Sequence, residues 1–82
     1  QNTRFYIQSG QGITEIEKME VFNRWGERIW VNEGFQPNDP AEGWDGMIRG
    51  EPANPEVFVY YAKIRFDDGV TILYKGDVTL MR

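Results

Sequence analysis

The sequence predicts an all-β fold of antiparallel strands, and three observations carry that prediction. In the last third the even positions Phe58, Tyr60, Ala62, Ile64 and Phe66 are all apolar, while the odd face ends in Lys63 and Arg65. After Asp67-Asp68-Gly69 the even positions continue as Val70, Ile72, Tyr74, Gly76, Val78 and Leu80. A period of two over both stretches is the mark of strands with one buried face. No window anywhere combines a 3.6-residue period with helix caps.

The elements follow in chain order. Thr3 to Gln8 is a short β-prone run, ended by Ser9-Gly10-Gln11-Gly12. Ile16 to Trp25 is a strand in which Met19 and Val21 alternate with Lys18 and Glu20. Gly26 punctuates it, and Glu27 to Val31 is the return strand. Asn32 to Pro55 holds all four prolines and four of the glycines, so it reads as a long loop with one short strand near Met47-Ile48-Arg49. The clearest element is the C-terminal hairpin, Val57 to Phe66 paired with Val70 to Met81. A three-residue loop with Gly69 in the left-handed conformation closes it. That loop pairs Phe66 with Val70, Ile64 with Ile72, Ala62 with Tyr74, Tyr60 with Gly76 and Phe58 with Val78. Both strands then turn their apolar faces to the same side, which pins the register. A tyrosine opposite a glycine covers the bare backbone there. With the earlier strands forming a second sheet, the architecture expected is a small immunoglobulin-like β-sandwich.

Size and charge narrow the function. The 82 residues make one domain, spanning 1–82, with a core that buries only about 60–65% of the unfolded surface. There is no cysteine and no histidine, so disulfides, thiolate metal sites and the usual neutral-pH general base are absent. Packing must come from the 15% aromatic content. The net charge of −4 is concentrated in residues 33–56, where Glu33, Asp39, Glu42, Asp45, Glu51 and Glu56 face Arg49 alone. No basic stripe for nucleic acid or an anionic membrane exists. The longest apolar run, Val57 to Ala62, is too short for a transmembrane segment. The chain starts at Gln1 rather than Met and reads as an excised fragment.

Four motifs in fixed order are more specific than the strand pattern. They are Asn23-Arg24-Trp25-Gly26, Trp44-Asp45-Gly46, Val57-Phe58-Val59-Tyr60-Tyr61, and Lys75-Gly76-Asp77-Val78-Thr79-Leu80-Met81-Arg82. Together they resemble the type B C-terminal sorting domain of the type IX secretion system, the gliding-motility-associated C-terminal domain. The resemblance covers essentially the whole chain. Gln1-Asn2-Thr3-Arg4-Phe5 looks like the tail of that family's opening motif, whose Pro-Asn-Gly-Asp-Gly part is missing, with Thr3 in place of the usual Asp. Glu56 stands where a Gly usually precedes the aromatic strand, and Phe58 replaces a frequent Tyr. The resemblance implies a domain that closes a large exported protein of a Bacteroidota-type bacterium. The outer-membrane type IX secretion machinery, with a PorP-like partner, would read it and deliver the cargo to the cell surface or the medium. The isolated domain is expected to be a monomer.

Each motif also has a plainer reading. In Asn23-Arg24-Trp25-Gly26 the tryptophan serves as a core or rim anchor, Gly26 as a turn residue and Asn23 as a turn cap, with Arg24 stacked on Trp30 or bound to a carboxylate. In Trp44-Asp45-Gly46 the last two make a turn and Trp44 covers the end of a small core. The acidic loop with Asp39, Glu42 and Asp45 lacks the ligand spacing of a calcium site, so no metal and no cofactor are expected. A paired-carboxylate hydrolase would need a walled cleft that a domain of this size does not supply, so no catalytic residue is assigned. On the terminal strand Gly76, Val78 and Leu80 face the core. Lys75, Asp77, Thr79 and Met81 face outward with Arg82 and form the expected recognition surface. The alternative function is an immunoglobulin-like surface adhesion or glycan-binding module.

Overall fold

Residues 13–22 place Ile13, Ile16, Met19 and Val21 on one side of a strand, although the first three are spaced by three. Two single-residue bulges reconcile that spacing with the pleat. In the computed structural model, which describes residues 4–9 and 12–80, the pairing of β1 (Ile13–Phe22) with β5 (Val57–Phe66) shifts between Ile13 and Glu15 and again between Ile16 and Lys18. Each extra residue reverses which parity faces inward, so an even position and then odd positions share the core face. Ile16, Met19 and Val21 all lose their whole surface to packing.

The chain turns at residues 23–27 into β2 (Arg28–Phe35). It then crosses a short 3₁₀ turn at Pro40–Glu42 and a two-residue hairpin, β3 (Met47–Ile48) and β4 (Glu51–Pro52). Arg49 and Gly50 are its turn, with φ of 53° and 83°, so Arg49 belongs to the turn and not to the short strand expected there. Two successive positive φ values suit the twist of a tight hairpin. Last come β5 and β6 (Thr71–Thr79).

The C-terminal hairpin has the register read from the sequence. Phe58 faces Val78, Tyr60 faces Gly76, Ala62 faces Tyr74 and Ile64 faces Ile72. The Phe66 amide donates to the Val70 carbonyl at 2.8 Å and Gly69 has φ 87°. Strand β6 begins at Thr71 and its described part ends at Thr79, inside the Val70-to-Met81 span expected. Met81 lies outside the described residues.

Three expectations need correction. Strands β1 and β2 do not form a second sheet: they join the terminal hairpin in one four-stranded antiparallel sheet of order β2-β1-β5-β6. The bulges let β1 pair with β5 while β2 pairs on its other side. Among the described residues before β1 there is no strand; residues 4–9 contribute one bridge, with Phe5 and Trp44 exchanging backbone hydrogen bonds at 2.8 Å in both directions. The prolines and glycines between 37 and 55 prevent any long partner strand from forming opposite it. The even face of β6 is also not buried throughout. Val78 is half-buried, but Val70, Ile72 and Tyr74 are 48%, 40% and 42% exposed, because the covering layer does not reach that corner.

The core sits between the sheet and a cover made of Phe5, Ile7, Trp44, Ile48 and Ala53. One cluster joins Ile16, Met19, Phe35, Ala62 and Ile64; the other joins Val21, Trp44, Ala53, Phe58 and Leu80. Trp44 packs edge-on against Phe58 with ring centroids 4.9 Å apart. Burying a large apolar side chain of this kind contributes roughly 1.5–3 kcal/mol. Phe5 and Tyr60, 5.0 Å apart, connect the two clusters.

A candidate recognition groove on the outer face

The face of the sheet turned away from the core divides into two halves. Near the 67–69 turn it is a charge ladder. Arg65 contacts Glu15 at 3.1 Å and Glu17 at 3.3 Å, Lys63 lies 3.9 Å from Glu17, and Thr71 donates to the same carboxylate. Exposed pairs of this sort contribute about 0–1 kcal/mol each and mainly keep the face solvated.

The other half is aromatic. Phe22 and Tyr61 meet edge-to-face at 5.5 Å, and the Lys75 ammonium stands 5.8 Å above the Tyr61 ring. With Val59 they floor a groove of about 540 Å³ whose rim is Glu20, Asn23, Arg24, Gly26 and Lys75. Glu20 is engaged by Arg28 at 3.0 Å and Lys18 at 3.9 Å. The cations at the rim are Arg24, which lies 3.7 Å from Glu56, and Lys75. An aromatic floor with a guanidinium and an ammonium at its edge suits an extended segment carrying both apolar and acidic groups.

Local chemistry builds the rim. Asn23 Oδ1 accepts hydrogen bonds from the Trp25 and Glu27 amides, both at 2.9 Å, and Asn23 Nδ2 donates to Glu27 Oε1. The Asn23 amide donates to the Glu27 carbonyl, and the Gly26 amide to the Asn23 carbonyl. With Gly26 at φ 83° this is the same three-residue turn that closes the terminal hairpin. Asn23 and Gly26 thus do what the sequence assigned them. Trp25 does not: at 78% exposure it anchors nothing, and Arg24 stacks on it at 5.0 Å rather than on Trp30. A three-residue turn leaves its middle side chain pointing outward, which the tryptophan's size does not change.

Trp44 is 1% exposed, with its indole N–H donating to the Met47 carbonyl at 3.0 Å. Asp45 Oδ1 accepts from the Met47 amide, and Gly46 has φ 80°. Trp44 and Gly46 are buried and Asp45 is exposed at this corner, and the motif takes no part in the groove. The acidic-loop oxygens have similar local uses: Asp39 accepts from the Ala41 amide and Glu42 from Asn32. Among the described residues no group of three or more His, Cys, Asp or Glu side chains converges as a metal site would require. No described helix is long and apolar enough to cross a membrane.

On the terminal strand Lys75, Asp77 and Thr79 are exposed. Gly76 is overlaid by the Tyr60 ring, so that an added Cβ would lie 2.6 Å from it. Met81 and Arg82 lie outside the described residues. The groove therefore unites Lys75 with the 23–26 turn, two motifs far apart in sequence, and leaves the Trp44 motif on the opposite side of the sheet. Phe22, Val59 and Tyr61 were missed as site residues. The signal for Val59 and Tyr61 was the odd-numbered half of Val57-Phe58-Val59-Tyr60-Tyr61, which is apolar where a solvated face should be polar. No family model, no curated protein and no solved structure matches this chain.

Proposed function

We propose that this chain is a non-catalytic C-terminal sorting domain that directs a large cargo protein across the outer membrane by type IX secretion and on to the cell surface. The supporting observation is that the Asn23-Arg24-Trp25-Gly26 turn and Lys75 of the terminal strand share one groove. Two of the four motifs that carry the family resemblance thus become neighbours on a solvent-facing surface, where an outer-membrane component of PorP-like type would grip them. The motif around Phe58 adds Val59 and Tyr61 to the groove floor, and its Phe58 joins Trp44 in the core beneath. In this reading the fold is an immunoglobulin-like sandwich whose second layer is reduced to residues 4–9, Trp44 and the β3–β4 hairpin. Lys75, Asp77 and Thr79, with Met81 and Arg82 after them in sequence, are the residues the machinery reads.

The test fuses residues 1–82, with the Pro-Asn-Gly-Asp-Gly opening restored, to a periplasmic reporter in a host that has this secretion system. Reporter at the cell surface or in the medium supports the reading, and reporter held in the periplasm rejects it. Trp25, exposed beside the aromatic floor, favours one second reading: a glycan-binding or adhesion module with Trp25 as its stacking platform. Glycan affinity that vanishes in Trp25→Ala would select that reading.

A further inference from the structure

The two edges of the sheet are unequal. Strand β2 carries the usual protections of an edge: a register shift between Val21 and Phe22 in its pairing with β1, Gly34 at φ 65°, the charges of Arg28 and Glu33, and Asn32 tied to Glu42 of the neighbouring loop. Strand β6 pairs with β5 over nine residues without a shift, and it is the last strand of the sheet on its side. The Phe66–Val70 and Glu56–Leu80 backbone bonds show that even-numbered residues point their amide groups toward β5. Antiparallel geometry then aims the N–H and C=O groups of Thr71, Leu73, Lys75, Asp77 and Thr79 at the open edge. The flanks are apolar on both faces, with Leu73 63% exposed on one and Ile72 and Tyr74 on the other.

We propose that a second copy of this chain covers that edge, β6 pairing antiparallel with β6 about a two-fold axis at Gly76. Charge selects both the occupant and the register. With Gly76 opposite Gly76, Lys75 lies directly across from Asp77 of the second copy, and Asp77 from its Lys75, giving two identical ion pairs on the outer face. On the inner face Tyr74 meets Val78 of the second copy. The register centred on Lys75 would oppose two ammonium groups, and the register centred on Tyr74 would leave both charges against apolar or hydroxyl neighbours. Only the Gly76-centred pairing joins a bare stretch of backbone, already lidded by Tyr60, to two matched charge pairs. The lone lysine that would otherwise guard the edge is neutralised by the chain's own aspartate. This pairing departs from the monomer expected of the sequence, which does not reveal which strand lies at an edge. It rests on edge geometry and charge, so it stands or falls apart from the sorting reading.

Sedimentation velocity of the 82-residue chain over a concentration series tests it. The wild type should approach twice the monomer mass as concentration rises, and more weakly at high salt. Lys75→Asp or Asp77→Lys alone sets like charges across both contacts and should weaken association by about tenfold or more. The double exchange K75D/D77K should restore it, and an equimolar mixture of the two single variants should associate better than either alone. Circular dichroism melts of all four proteins confirm that each is folded. A wild type that stays monomeric throughout, or a dimer that ignores the single exchanges, overturns the proposal.

Discussion

At the scale of single residues, Gly76 and Tyr60 are a closely fitted pair. The tyrosine ring lies where a Cβ on residue 76 would be, so glycine there is a matter of space and not of backbone angle. Gly76→Ala should cost about 1–3 kcal/mol in urea unfolding, as overpacking does, and the loss should shrink when Tyr60 is also truncated. Trp44→Ala removes a side chain that is 1% exposed and should cost about 3–5 kcal/mol. Trp25→Ala should stay within about 0.5 kcal/mol, since its ring is exposed. The sequence alone ranks these two tryptophans alike, because each stands in a short motif beside a turn glycine. What separates them is three-dimensional: Trp44 bridges to Phe5, while Trp25 is the middle residue of a three-residue turn.

At the scale of elements, the terminal hairpin was legible, but the others were only partly so. Asn23 to Trp25 lie in the first turn, Asn32 to Phe35 belong to the return strand and not to the loop, and β4 was not foreseen. Strict alternation on β5 and β6, with one short loop between them, leaves a single register that buries Phe58, Ala62 and Ile64. Gly69 sits at φ 87°, so Gly69→Val should cost about 1–2 kcal/mol of stability, read from the shift of the unfolding midpoint. An unchanged midpoint would show the turn to be something else. In β1 the spacing of Ile13, Ile16 and Met19 fits neither a regular strand nor a helix long enough to matter. Only the partner strand shows that it records two bulges. Asn23→Ala should cost about 1 kcal/mol, since its side-chain oxygen serves two amides of the first turn.

At the scale of the whole molecule, the sequence shows that strands exist but not which of them are neighbours. Pairing of β1 with β5 joins residues far apart in sequence, from Phe22 with Val59 to Ile13 with Phe66, and no local pattern encodes it. For that reason the second sheet expected of the early strands is instead part of the first, and β6 is an edge. The same topology brings Lys75 to the 23–26 turn and creates a groove that neither motif announces alone. Buried and exposed positions separate at the end of the described chain: Leu80 is buried at 4% exposure, whereas Lys75, Asp77 and Thr79 are exposed. Leu80→Ala should therefore weaken the fold by roughly 2–5 kcal/mol.

The most direct measurement of the sorting claim follows export and melting temperature together on one set of variants of the reporter fusion. The set comprises deletion of Met81 and Arg82, charge reversal at Lys75 and Arg82, Leu80→Ala, and the K75D/D77K exchange, which keeps self-pairing while altering what a partner reads. The account predicts that the deletion and both charge variants block export while their melting temperatures stay near wild type, and that only Leu80→Ala melts early. Secretion of the truncated, charge-reversed fusion at the normal rate would contradict it.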